Sequence, residues 1–69
     1  MLFEDQEELK RAYNAVFDKK GQVKNCGRDA CSNLIRMMRP YTSEDIGDES
    51  TGTLNVDLVK LEYYRIIVL

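Results

Sequence analysis

Leu9-Lys10-Arg11-Ala12-Tyr13-Asn14-Ala15-Val16-Phe17, then Asp18-Lys19-Lys20-Gly21, then Cys31-Ser32-Asn33-Leu34-Ile35-Arg36-Met37-Met38 is the stretch that decides how the chain is read. In its first limb Leu9, Ala12, Tyr13, Val16 and Phe17 recur at three-four spacing, so they share one face of a helix. In its last limb Cys31, Leu34, Ile35 and Met38 repeat the pattern. Between them Gly21 supplies a residue that tolerates the left-handed conformation, and Lys19 and Lys20 suit a helix C-terminus. The stretch therefore predicts helix, short glycine turn, helix.

Boundaries follow from end signals. Asp5 with Glu8 three residues on forms a capping box, which predicts a first helix over residues 4–17. Glu7 and Arg11, four apart, add a weak surface pair. Residues 22–26 read as a short extended connection. The second helix is predicted over residues 28–39 and stops at Pro40, which lacks a donor and disfavours helix at the residue before it. Thr42 and Asp45 make a second capping box, but Gly47 and Gly52 follow too soon for more than about one turn of helix. Residues 47–53 read as loop.

The tail is ambiguous. Leu54, Val56 and Leu58 alternate with Asn55 and Asp57, as in a strand. Val59, Leu61 and Tyr63 then alternate on the opposite parity, so a strand would need a bulge at Leu58-Val59. β-Branched and aromatic side chains favour strand. A helix over residues 57–67 is the reading adopted.

Composition bounds the function. The chain has 69 residues, enough for one small domain (residues 1–69) with a modest core. It is 43% hydrophobic and 32% charged, the balance of a folded protein. A net charge of −2 gives no broad field for holding nucleic acid. Acids collect in residues 42–57, where Glu44, Asp45, Asp48, Glu49 and Asp57 have no base among them. Two cysteines are too few for a disulfide-stapled secreted scaffold. No apolar run approaches the roughly 20 residues that span a bilayer, and no signal peptide pattern is present. A cytoplasmic protein without a membrane role is expected.

The order of residue types over residues 9–45 resembles an EF-hand lobe of the calmodulin and myosin light chain family. That family's calcium loop has about twelve residues, with oxygen ligands at alternate positions, Gly at the sixth and Glu at the last. Counted from Asp18, Lys20 and Gln22 stand at ligand positions, Val23 replaces the glycine, and Asp29 is last. A lysine where a carboxylate belongs repels the cation. Gly52-Thr53-Leu54 is similar to the turn of a second hand, but counting from Gly52 puts Gly47 and Leu58 at the first and last ligand positions. The resemblance therefore implies a lobe that has kept its apolar skeleton and lost its calcium chemistry.

It also implies a partner: an amphipathic, basic helix, as when a light chain grips an IQ segment of myosin. Leu34, Ile35, Met37, Met38, Tyr63 and Tyr64 would line the groove, since methionine-rich surfaces adapt to helices. One of the two tyrosines can pack inward while the other presents its hydroxyl at a rim. Glu44, Asp45, Asp48 and Glu49 would meet Arg or Lys on the ligand.

Catalysis is not expected. The chain has no His, no phosphate-cradling glycine loop and no nucleophile elbow. Cys26 and Cys31 are too few to hold zinc and lack a base, so both read as small buried hydrophobes. No metal, cofactor or small-molecule substrate is called for. The alternative class is a helix-turn-helix DNA-binding regulator, with Arg28, Asn33 and Arg36 on a recognition helix. Against it stand the acidic second half and a connection longer than that motif's turn.

The expected fold is mainly α: a single domain of paired helix-loop-helix, EF-hand-like units. Its alternative is α+β with a C-terminal strand.

Overall fold

The computed structural model describes residues 3–24 and 27–68. It is mainly α. Helix α1 (Phe3–Val16) and helix α2 (Arg28–Met38) are followed by a single 3₁₀ turn (Arg39–Tyr41). A hairpin of two short strands, β1 (Gly47–Asp48) and β2 (Thr53–Leu54), leads into helix α3 (Val56–Ile67).

The apolar stripes read from the sequence build the core. Leu9, Ala12, Val16 and Phe17 from the α1 side meet Cys31, Leu34, Ile35 and Met38 from α2, and Ile46 and Val59 close the cluster. Helix α2 lies at the centre, with its backbone close to α1, the 3₁₀ turn and both strands. Helix α3 is held through its side chains. Val59 enters the core, and the Tyr63 ring stacks on Tyr13 with centroids 3.7 Å apart and planes within 7°. Tyr13 stacks in turn on Phe17 at 4.6 Å.

The first helix differs from expectation at both ends. Among the described residues it begins at Phe3, so Asp5 lies within it and not at its N-cap position. It ends at Val16, so Lys19 and Lys20 belong to the turn beyond. That turn is a tight hairpin. Phe17 bridges Val23 in antiparallel fashion, and the amides of Asp18 and Lys24 donate to the carbonyls of Gln22 and Val16, both at 2.8 Å. Gly21 does adopt a left-handed backbone, with φ of 80°. Helix α2 starts where expected and yields to the 3₁₀ turn containing Pro40, because the proline cannot donate to the α-helical ladder.

Thr42 and Asp45 start no helix. The Thr42 hydroxyl instead accepts from the Glu44 amide at 3.1 Å and donates to the Glu62 carboxylate. Residues 47–53, expected as loop, contain β1 and the start of β2, paired Gly47 to Leu54 and Asp48 to Thr53. Both this pairing and the Phe17–Val23 bridge are local, each joining residues either side of one turn.

The tail is helical, and the strand alternative is corrected. Leu54 does begin in a strand, but pairing stops there. The Asn55 amide donates to the Ile46 carbonyl at 2.9 Å, and from Val56 the chain turns helical. The parity break at Leu58-Val59 is where helical spacing takes over: Val59, Glu62, Tyr63 and Ile66 face inward.

Candidate protein-binding face

The residues expected to line a groove separate into distinct places. Leu34, Ile35 and Met38 are 0% exposed. In this conformation they hold the core and are closed to a partner, which corrects their assignment to an open groove. The reason is size: a small domain needs its best-matched apolar face for itself. Met37 is half-buried beside Glu8, Arg11 and Ala12 of α1. Tyr63 is the inward tyrosine, and its hydroxyl pKa is raised, first by burial and then by neighbouring Tyr13 and Glu7. Tyr64 points outward, 53% exposed. Cys31 is buried in the core, and Cys26 lies outside the described residues.

The expected acids also separate. Glu44 and Asp45 are exposed between the 3₁₀ turn and β1, and Asp45 accepts from the Gly47 amide at 3.4 Å. Asp48 accepts from the Ser50 hydroxyl at 2.7 Å and the Ser50 amide at 2.9 Å, and these bonds hold its carboxyl below the usual range. Glu49 folds back on α2. Its carboxylate meets Arg39 at 3.1 Å and Arg36 at 4.0 Å, while its carbonyl accepts from the Ser32 hydroxyl at 2.8 Å. Asp45 and Asp48 share a shallow depression with Asn55, the residue that precedes α3. Among the described residues Glu44, Asp45, Asp48 and Asp57 form no ion pair.

Helix α3 carries a second apolar face. Leu61 is 55% exposed and Val68, at its C-terminal end, 59%; with Tyr64 they follow three-four spacing on the side away from the core. Asp57, four residues before Leu61, starts this stripe, and exposed Arg65 borders it. Tyr41 adds apolar surface beside Arg65 and Ile66. The sequence reading named Tyr64 and missed Leu61 and Val68. The available signal was excess: apolar residues in the tail outnumber those that one helix face can bury.

Behind the stripe sits Glu62, 5% exposed. The Thr42 hydroxyl and the Arg65 guanidinium, at 2.8 Å, both donate to its carboxylate. The Thr42 bond above all, then Arg65, holds its pKa below the ordinary glutamate value. This clamp joins α3 to the segment after the 3₁₀ turn. Among the described residues no buried polar side-chain atom lacks a partner.

The segment from Asp18, which the resemblance set at a lost calcium loop, is a tight turn. The Asp18 carboxylate accepts from the amides of Lys20 and Gln22, both at 2.9 Å, and so braces its own turn. Among the described residues no group of three metal-ligating side chains comes together. No helix of the described residues is long and apolar enough to cross a membrane. Comparison of the chain with protein-family models, curated proteins and solved structures finds no match.

Proposed function

We propose that the chain is a non-catalytic protein-binding module that docks an amphipathic helix on the outer face of α3 and does so without calcium. The observation that carries this reading is the exposed stripe of Leu61, Tyr64 and Val68 on a helix already anchored by its other face. An apolar stripe at helical spacing is the surface that a second helix complements. Carboxylates at Asp57 and beside the start of α3 favour a cation at one end of the incoming helix.

In this reading α1, the Asp18 turn and α2 form one calcium-free helix-loop-helix unit, and the hairpin with α3 stands where a second would be. The partner remains the basic amphipathic helix expected of a light-chain-like adaptor. With Leu34, Ile35 and Met38 in the core, the face offered to it is α3.

The DNA-binding alternative loses support on α2. Arg36 donates to Asn33 at 3.3 Å, and Glu49 sits across Arg36 and Arg39. Two of the three side chains that would read bases, Asn33 and Arg36, are engaged within the chain, and Arg36 lies beside a carboxylate that repels phosphate.

The test is a fluorescence anisotropy titration of a labelled leucine-lysine amphipathic peptide, run once in chelator and once in calcium. The expected result is saturable binding of equal strength in both, weakened about tenfold or more by Leu61→Asp. Absence of binding, or binding indifferent to Leu61→Asp, overturns the reading.

A further inference from the structure

The charges that flank Leu61 on α3 are self-complementary. Asp57 lies four residues before Leu61 and Arg65 four residues after it. A two-fold axis across the helix at Leu61 would therefore set Asp57 of each copy against Arg65 of the other. Such an interface is isologous, with the same patch serving both sides. It is also antiparallel, so the two helix dipoles oppose favourably. A parallel pair would juxtapose like charges.

We propose that α3 of a second copy of this chain occupies the docking face, antiparallel, with Leu61 at the axis and Tyr64 of each copy beside the partner's Leu61. This rests on the docking reading above and names the partner helix: one with an apolar stripe and a cation, Arg65, at one end. Both charges are available for it. Asp57 has no ion pair among the described residues, and the Arg65 side chain is 59% exposed although it bonds Glu62. A guanidinium carries about five N–H donors, so the bond to Glu62 leaves others for Asp57.

The size of the contact sets its strength. Twelve residues of α3 span about 18 Å, and a face one helix wide covers less than the roughly 800 Å² per partner of standard interfaces. The dimer is therefore weak and reversible, with dissociation in the micromolar range or above.

Sedimentation equilibrium of the full chain, from micromolar to several hundred micromolar, tests it. The expected result is a mass rising from the 8.0 kDa of the monomer toward twice that value. Leu61→Asp holds the mass at the monomer value with an unchanged circular dichroism spectrum. Asp57→Arg and Arg65→Asp each weaken the dimer about tenfold alone, because like charges then face each other, and mixing the two variants restores it. If Arg65→Asp fails to fold, because Glu62 loses its partner, Asp57→Arg alone carries the charge test. A wild-type chain that stays monomeric at the highest concentration overturns the proposal, as does a dimer unaffected by Leu61→Asp. Monomeric wild-type chain that still binds the leucine-lysine peptide through Leu61 removes the second copy and leaves the docking face standing.

Discussion

Glu62 is a charged residue between the apolar Leu61 and Tyr63, yet it lies inside the molecule. A buried carboxylate is costly unless its lone pairs are satisfied, and here the Thr42 hydroxyl and Arg65 satisfy them. The pH dependence follows from the direction of the shift. The folded pKa lies below the unfolded value, so the contribution of Glu62 is present above the unfolded value of about 4.3 and is lost as pH falls through the folded pKa. Melting temperature should therefore fall as the solution is acidified below about pH 4. Thr42→Val should lower stability at neutral pH and flatten that acid slope, both measurable by thermal melts across pH. A slope as steep in Thr42→Val as in the wild type would show that Glu62 does not set it. Thr42 itself was legible only as a capping residue, since nothing local in the sequence points it at a carboxylate twenty positions away.

Each helix shows a different division between local signal and context. Three-four spacing located α2 closely, because its buried face and the Pro40 stop are both short-range features. In the tail the signal was blurred, because both of its faces are apolar and a two-faced helix has no clean period, yet the helix read over residues 57–67 matches α3. One face anchors α3 by Val59 and Tyr63, and the other became the candidate docking face. The hairpin between α2 and α3 depends on Gly52. Its φ is 71°, and a Cβ there would lie 2.7 Å from both the Cα and the carbonyl oxygen of Arg28. Those are backbone atoms of the first residue of α2, so they cannot swing aside as a side chain would. Gly52→Ala should cost about 1–3 kcal/mol from backbone strain and contact, measured by urea unfolding. A loss below about 0.5 kcal/mol, the range of ordinary surface changes, would mean that the hairpin does not press on α2.

At the scale of the whole molecule, one cluster around α2 carries the fold. Phe17, Leu9, Leu34, Ile35, Met38, Ile46 and Val59 are all almost fully buried and come from every helix and the approach to the hairpin. A chain of 69 residues has little surplus apolar area, so losing one of them reaches the entire structure. Leu34→Ala should cost about 2–5 kcal/mol. It should lower the urea midpoint, with fluorescence of the tyrosines and circular dichroism moving together as one transition. Separated transitions, or a loss under about 1 kcal/mol, would show that Leu34 moves freely, as a groove residue would and a core residue at the cost range given would not.

The sequence by itself determined what short-range chemistry controls: two amphipathic helices, a left-handed Gly21 between them, the stop at Pro40, and an acidic stretch before the last element. Of the exposed stripe on α3 it singled out Tyr64, and of the tyrosine pair it allowed that one could turn inward. Tertiary structure alone decided that Glu62 is inside, that Leu34, Ile35 and Met38 are buried in the core, and that Leu61 and Val68 are left outside. The reason is physical. Periodicity depends on neighbours three or four residues away, whereas burial depends on which distant surfaces meet. Where a segment has more apolar side chains than one face can hide, only those distant contacts determine which of them remain exposed.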